Sequence, residues 1–415
     1  MRNPSLLWIL LAVMLILDIY IFQALKFVSH SAGPRTRMVI LISYWAVSAL
    51  AIVTMALTPY MHVSHWPNHA ANYVYAIILG LFFAKLLATV FFLADDLRRG
   101  LQWIVVKLFS ASRRPAAPGA EGISRSVFVS WLGLALGGGL FSSLLYGFTN
   151  KYNYRIHRHR LSFDRLPPAF RGMKIVQISD IHSGSFTDKD AVRRGVDMII
   201  QEKADLILFT GDLVNDKATE MLGYKEVFAR LTAPMGIFST LGNHDYGDYT
   251  EWESEAAKAA NLDHLKTIHA DMGWRLLMNE HVVLEKQGQE IALIGIENWS
   301  AKARFPKKGK MKEAYAGTEK YPFKVLMSHD PSHWDAEVRP RFSDVDLTLS
   351  GHTHGMQFGV EIAGFHWSPV QYIYKQWAGL YEKGSQKLYV NRGYGFLGYP
   401  GRIGILPEIT IIELA

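Results

Sequence analysis

Leu208-Phe209-Thr210-Gly211-Asp212-Leu213-Val214-Asn215-Asp216 decides how the larger part of the chain is read. The run that leads into it, Asp205-Leu206-Ile207-Leu208-Phe209, is short, apolar and bounded, which is the pattern of a buried strand. Gly211-Asp212 then sets a carboxylate on a tight turn at the strand's carboxyl end. Taken alone, this is as readily a polar turn as a ligand. A buried carboxylate, however, is rare unless paired or metal-bound. Asp212 also has company: Asp180, His182, Asn243, His244, His329, His352 and His354 all fall at comparable strand ends.

Working outward, the apolar pattern alternates between strand and helix. Strands are expected at Lys174 to Ile178, Leu206 to Phe209 and Ile237 to Leu241, with helices near Lys189 to Glu202 and Lys217 to Leu231 between them. Further strands are expected at Val282 to Glu285, Ile291 to Ile296, Lys324 to Ser328, Leu347 to Ser350, Leu388 to Val390 and Ile409 to Leu414. The rhythm is that of βαβ units, which gather ligands beyond the carboxyl ends of their strands. Two layers of sheet flanked by helices accommodate so many strands. Upstream, Tyr152 to Phe163 suits an edge strand, closed by Pro167-Pro168.

The first third reads differently. Leu6 to Phe27, Met38 to Leu57, Tyr73 to Leu93 and Val127 to Phe148 are each about twenty mostly apolar residues, the length of a membrane-crossing helix. The first run lacks a small-residue cleavage site and precedes further spans, so it is read as a span rather than a signal peptide. Asp18 and Lys85 interrupt spans and are placed to pair with each other, or, for Lys85, to snorkel. Gly137-Gly138-Gly139 in the last span permits close helix contact. Lys26, Arg35 and Arg37 fill the first loop, and Arg98, Arg99, Lys107, Arg113, Arg114 and Arg125 the third. The second, Met61 to Asn72, has neither Lys nor Arg. The bias of basic residues puts loops one and three in the cytoplasm and both termini outside. Pro115 and Pro118 mark the third loop as flexible rather than a domain. The expected division is a transmembrane region at 1–150, a connector at 151–172 and a catalytic domain at 173–415. The expected location is a bacterial inner membrane, with the catalytic domain on the periplasmic face.

The chain has 415 residues, 49% of them hydrophobic, and a formal net charge of +7. That charge is modest, and much of it flanks the spans, so a lipid bilayer fits as partner and nucleic acid is not expected. There are no cysteines, which excludes disulfides, thiolate metal sites and cysteine nucleophiles.

Five strand ends carry the chemistry. In Asp180-Ile181-His182, residues two apart point the same way from extended backbone, so one carboxylate and one imidazole grip one ion. Gly211-Asp212, Gly242-Asn243-His244-Asp245, Ser328-His329-Asp330 and Gly351-His352-Thr353-His354-Gly355 follow. Glycine recurs because the backbone must turn sharply beside the ligands. Each piece alone is weak, whereas five in order, each after an apolar strand, are specific. In this order they resemble the calcineurin-like metallophosphoesterase superfamily, with its D-x-H, G-D, G-N-H-D/E, H and G-H-x-H elements. The resemblance covers about Lys174 to Leu414 and is nearest a bacterial membrane-associated branch ending in Pro-Glu-Ile. Met356 stands where that branch usually has glycine, and a basic insertion follows Asn298.

The resemblance implies an α/β fold, a four-layer αββα sandwich, here preceded by a bundle of four transmembrane helices. It implies two divalent metal ions, one held by Asp180, His182, Asp212 and His354, the other by Asp212, Asn243, His329 and His352. Asp212 would bridge them. Mixed carboxylate, amide and imidazole donors suit Mn, Fe or Zn. The implied chemistry is phosphoester hydrolysis by a hydroxide that the ions share, with His244 protonating the departing oxygen and Asp245 orienting His244.

Around this centre, Lys302, Arg304, Lys307, Lys308, Lys310 and Lys312 crowd one loop, either an anion-attracting flap or a solvated surface. Arg392 on its Gly-rich turn is a candidate phosphate clamp, with a structural salt bridge as the alternative. Trp367, Tyr372, Tyr374, Trp377 and Tyr381 suit either a membrane interface or core packing. His264, His269 and His281 have no motif and are expected on the surface. The expected function is a membrane phosphohydrolase acting on a phosphorylated, lipid-linked or envelope substrate. A non-enzymatic sensor on the same fold and a nuclease are the alternatives; no ligand is missing, as a sensor would require.

Overall fold

The computed structural model describes residues 4–61, 68–109, 125–362 and 365–415. It forms two units, Met1–Tyr146 and Gly147–Ala415.

The first unit is helical: α1 Pro4–Val28, α2 Pro34–Leu57, α3 Asn68–Phe109 and α4 Arg125–Gly147. All four are long and apolar enough to cross a membrane. They are apolar on every side, so large side chains such as Leu50 and Ile42 stay uncovered by protein, as lipid-facing residues do. Inside, the Lys85 ammonium lies 2.5 Å from the Asp18 carboxylate, which also accepts from the Ser48 and Tyr44 hydroxyls. The expected pair therefore forms, and Lys85 does not snorkel. Of the three consecutive glycines only Gly137 makes a close approach, where an added Cβ would stand 2.6 Å from the Ala84 carbonyl. Helix α3 runs well beyond the expected end at Leu93. Asp95 pairs with Arg98 at 2.7 Å and with Arg99 at 3.3 Å, bonds between successive turns that extend the helix through charged residues. Arg98, Arg99 and Lys107 thus lie on a helix and not in a loop. Arg113, Arg114, Pro115 and Pro118, and 62–67 of the second loop, are outside the described residues, and 68–72 already belong to α3.

The second unit begins with β1 Arg155–Leu161, β2 Lys174–Ile178, helix α5 Lys189–Gln201, β3 Leu206–Phe209, the one-turn helix α6 Lys225–Phe228 and β4 Ile237–Ser239. Helix α7 Glu255–Asp271, β5 Arg275–Leu276, β6 Glu280–Lys286, β7 Gln289–Gly295, the short helix α8 Met311–Tyr315, β8 Lys324–Met327 and β9 Leu347–Ser350 follow. The chain ends with β10 Val360–Ile362, β11 Phe365–Trp367, β12 Gly379–Lys383, β13 Gln386–Val390 and β14 Glu408–Leu414. One sheet has the order β1-β14-β2-β3-β4-β5, the other β12-β13-β9-β8-β7-β6, and β10-β11 is a separate ribbon. The 155–161 strand sits at the edge of the first sheet, parallel to the last strand of the chain.

Alternation along the strands builds the layers. Ile175, Leu206 and Leu208 face the second sheet, in one core with Val325, Met327, Leu347 and Leu349. Val176, Ile207 and Phe209, one residue out of phase, pack instead against Val192 and Val196 of α5 and Leu265 and Ile268 of α7. On the far side, Leu326 and Leu388 meet Met311 and Trp334. The result is helix, sheet, sheet, helix, the expected four-layer sandwich. Between the sheets the buried Gln177 amide donates to the Ser350 carbonyl at 2.9 Å, tying β2 to β9.

One expectation fails and one element was missed. Lys217 to Leu231 is a 3-10 turn, Ala218–Met221, and the four-residue α6, because Gly223 and Tyr224 interrupt the helical run. The long helix α7 was not anticipated, although Ser254 caps it by accepting from the Ala257 amide.

Candidate metal centre

The parallel strands of both sheets run out toward one place. Asp180 follows β2, Asp212 follows β3 and Asn243 follows β4, while His329 and His352 follow β8 and β9 of the other sheet. Their backbones turn abruptly. Asp180, His182, Asp212, His352 and His354 all take positive φ, between +48° and +73°, a conformation that side-chain-bearing residues adopt at a cost of about 1 kcal/mol or more each. Strain concentrated in these residues is compensated by the cage they form.

Two groups of donors result: Asp180, His182 and His354, and Asp212, His329 and His352. In the first, His354 Nε2 stands 3.2 Å from Asp180 Oδ1 and 3.0 Å from His182 Nε2. In the second, His329 Nε2 stands 3.1 Å from Asp212 Oδ2, and the same oxygen is 3.5 Å from His182 Nε2. Asp212 therefore touches both groups. Asn243 joins through its side-chain oxygen, which is buried and has no hydrogen-bond partner among the described residues, as has His329 Nε2. Its amide nitrogen is engaged by the Tyr249 hydroxyl at 2.9 Å, so the oxygen is the end left free. Orphaned buried acceptors beside a carboxylate are what a cation satisfies.

The tautomers agree. His329 Nδ1 is 2.7 Å from the Thr210 carbonyl, which only accepts, so Nδ1 carries the proton and Nε2 offers its lone pair. His352 Nε2 is bound to the Tyr374 hydroxyl at 2.8 Å, leaving Nδ1 as its other donor. Charge in the cage is coupled. Burial pushes the Asp212 carboxyl up, but His329, His244 and His182 hold it well below the usual carboxylate range. His329 moves the other way: burial lowers it, yet Asp212 brings it up to about 10, so without a cation Nε2 holds a proton against Asp212 Oδ2, and a bound cation would take that proton's place. Burial keeps His182 well below its ordinary value, hence neutral, the form that binds a cation.

Two glycines make the approach possible. A Cβ on Gly242 would lie 2.1 Å from Asp212 Oδ1, and one on Gly351 2.1 Å from Asp180 Oδ2. The donors border a cavity of about 250 Å³ lined also by His244, Arg304, Phe305, Met356, Ile373 and Tyr374.

His244 is oriented differently from the expectation. Its Nδ1 is 2.7 Å from the Asn215 carbonyl, so Nδ1 is protonated and Nε2 is the nitrogen open to the cavity. Asp245 does not reach it. The Asp245 carboxylate accepts from the amides of Asp212 at 2.9 Å, Leu213 at 2.8 Å and Gly242 at 2.8 Å, fixing the two metal-bearing turns against each other. Burial and then Asp212 push its carboxyl up, against the pull of the Gly242 and Leu213 amides.

The suggested substrate residues are also corrected. Arg392 is buried, its guanidinium 2.6 Å from Glu408 and bound as well to Glu361, so the salt bridge and not the phosphate clamp describes it. Lys307 lies 4.2 Å over the Trp299 ring and Lys308 4.7 Å over Tyr246, and neither lines the cavity. From the basic loop it is Arg304 that does, with Phe305 edge-on to His352 at 4.6 Å. The aromatic stretch divides: Tyr374 and Trp377 are buried, while Tyr372 is 78% exposed. His269 is fully buried in the α7 core rather than on the surface, and His281 is half-buried with Nδ1 on the Ala314 carbonyl. The reading of the sequence passed over Tyr374 as a site residue, together with Asn215, Thr210 and the buried Arg402, which lies behind His354 at 3.2 Å. Thr210 and Asn215 stood in the opening stretch and Asp330, 3.2 Å from the Tyr374 hydroxyl, in the Ser328-His329-Asp330 element, but none was given a role.

Comparison with known proteins agrees with this geometry. A model of "Calcineurin-like phosphoesterase" matches residues 173–356, and one of "Probable Calcineurin-like phosphoesterase, transmembrane domain" matches residues 1–151. The chain belongs to the calcineurin-like metallophosphoesterases. It is accordingly a metal-dependent phosphoesterase with a transmembrane domain. Among its relatives is the uncharacterized metallophosphoesterase YkuE of Bacillus subtilis, 29% identical over 62% of this chain and 84% of the relative. The phosphodiesterase YaeI of Escherichia coli is 29% identical over 63% of this chain and 88% of the relative. A transmembrane protein with a metallophosphoesterase domain from Danio rerio is 30% identical over 60% of this chain, which spans only 55% of that relative.

Proposed function

We propose that this membrane-anchored phosphoesterase hydrolyses a phosphoester or pyrophosphate bond in a lipid or envelope-associated substrate, with two divalent ions, Mn, Fe or Zn. The observation that carries it is Asp212, whose single Oδ2 atom faces His329 of one donor group and His182 of the other. Asp180, His182, Asp212 and His354 would hold one ion, and Asp212, Asn243, His329 and His352 the second. When bound, such a pair lowers the pKa of a shared water and neutralises phosphoryl oxygens for in-line displacement. The donors fit ions of this class: the buried orphan oxygen of Asn243, the neutral His182 imidazole and glycine-lined clearance all favour them.

The protein's own groups supply the rest. With Nδ1–H held by the Asn215 carbonyl, His244 in its doubly protonated form presents Nε2–H to the cavity, and that proton passes to the departing oxygen, leaving the neutral imidazole. Arg304 at the cavity wall binds the phosphoryl group as a fork of donors. Asp245 acts by holding the Asp212 and Gly242 turns together rather than by touching substrate. The Escherichia coli relative's name supports a phosphodiester among the possible bonds. We place the catalytic unit on the periplasmic face of a bacterial inner membrane, on the basic residues at the helix ends that flank the first and third connections, Lys26, Arg35 and Arg37, and Arg98, Arg99 and Lys107.

The test is hydrolysis of bis-p-nitrophenyl phosphate by the purified chain with Mn, compared with Asp212→Ala and Asn243→Ala. Loss of activity in both variants is expected, and equal turnover in all three would overturn the mechanism. A reporter fused after Ala415 should be active in the periplasm and silent in the cytoplasm.

A further inference from the structure

The ribbon β10–β11 has its faces reversed relative to an ordinary surface hairpin. Its register pairs Val360 with Trp367, Glu361 with His366 and Ile362 with Phe365. Alternation therefore puts Val360, Ile362, Phe365 and Trp367 on one face and Glu361 and His366 on the other. The polar face turns back onto the protein at Glu361, which pairs with the buried Arg392, while His366 lies 5.1 Å from the Trp377 ring and stays exposed. The apolar face is the outward one: Ile362 is 68% exposed and Phe365 54%. Tyr372, Ile373 and Met356 carry the exposed patch onward, and the last two also line the metal cavity. An apolar patch that runs from a cavity mouth onto a projecting ribbon marks an interaction surface.

Chain continuity argues for what covers it. Gly147, where the fourth span ends, accepts from the Arg402 amide at 2.9 Å. The next residue, Ile403, bonds to the Gln357 carbonyl at 2.8 Å and accepts from the Gly359 amide at 2.9 Å. Val360, the first residue of the ribbon, follows directly. Within the second unit, its first residue, Gly147, which follows Tyr146 in the chain, is thus tied through one bridge of backbone to the base of the ribbon.

We propose that this ribbon is a bilayer-docking surface. Val360, Ile362 and Phe365 enter the boundary of the hydrocarbon, and Trp367 and Tyr372 sit at headgroup level, where amphipathic rings are stable. Docking holds the cavity mouth, with Arg304 on its wall, against the headgroups that carry the phosphoester. Only this last clause rests on the phosphohydrolase reading; the docking does not.

The absence of cysteine in the chain allows a clean experiment. Ile362→Cys in the full chain takes a single environment-sensitive fluorophore, and the protein is reconstituted into phosphatidylcholine–phosphatidylglycerol vesicles containing nitroxide-labelled acyl chains. Val283→Cys, an exposed position on the edge strand β6, is the control. Quenching about threefold or more stronger at 362 than at 283 is expected for a residue at the acyl boundary. Adding Phe365→Asp should abolish that difference while hydrolysis of bis-p-nitrophenyl phosphate stays within about twofold, because Phe365 does not line the cavity. Equal quenching at both positions overturns the proposal, and so does ready crosslinking of Ile362→Cys copies, which would make a second chain the occupant. An intact quenching difference in a protein without phosphohydrolase activity would sink the functional reading and leave the docking standing.

Discussion

His182 Nε2 and His354 Nε2 face each other at 3.0 Å, although 172 positions separate them in the chain. Burial keeps His182 neutral, and two imidazole nitrogens this close, with Asp180 Oδ1 3.2 Å from His354, make a donor set for one cation. The other group centres on His329 and His352. His354→Ala should therefore leave one tightly bound metal equivalent out of two, and His329→Ala should remove the other. Metal analysis after gel filtration reads this directly. Retention of both equivalents in either variant would show that the cage is not divided as the distances indicate.

Tyr374 positions rather than ligates. Its hydroxyl spans His352 Nε2 at 2.8 Å and Asp330 Oδ2 at 3.2 Å, which fixes the ring whose other nitrogen faces the cage. Removing such an outer partner typically weakens metal binding about 10- to 100-fold. Tyr374→Phe should lower the affinity of the second ion by about that factor while leaving the first unchanged, as a two-site titration with Mn would resolve. A uniform fall in both affinities would instead indicate a general loosening of the fold.

Much of this was legible because the strands that carry the ligands are fully buried. Leu206 to Phe209 is an uninterrupted apolar run and Leu347 to Ser350 alternates leucine with Thr348 and Ser350, and the ends of both coincide with those of β3 and β9. The ligands were legible for a related reason: glycines beside Asp212 and His352 are demanded by clearances near 2.1 Å, so they recur as motif letters. What escaped depends on distant contacts. Asn215, not Asp245, orients His244, because a backbone carbonyl carries no signal in side-chain chemistry. Arg392 looked like a clamp on its Gly-rich turn until Glu361 and Glu408, far off in sequence, neutralised it. The exposed face of β10–β11 was invisible because its period of two covers only three residues a strand.

His269 predicts how the second unit responds to acid. It is fully buried against Phe209 and Trp274, neither ring nitrogen has a partner among the described residues, and burial lowers its pKa to about 3. The unfolded chain takes up this proton below about pH 6.5, whereas the folded protein refuses it until near its own lower value. Stability thus falls as pH drops through that window, by about 1.4 kcal/mol per pH unit from this residue alone. His269→Phe should flatten the decline between pH 6 and pH 4, measured as the denaturant midpoint of the detergent-solubilised chain. Parallel curves for the two proteins would exclude His269 as the cause.

The pair Asp18–Lys85 makes a prediction about the first unit. Its 2.5 Å contact is enclosed by Ser48 and Tyr44, so the two charges have each other and little water. Removing one partner leaves the other charge stranded, at a cost of about 3–5 kcal/mol for a buried pair. Removing both with apolar residues of similar size restores packing without a stranded charge, and is often neutral. Asp18→Leu should therefore lower the thermal midpoint of the detergent-solubilised protein clearly, and Asp18→Leu/Lys85→Leu should recover most of the loss. If the double variant is no better than the single one, the polar network of Tyr44 and Ser48, and not the stranded ammonium, governs how these helices pack.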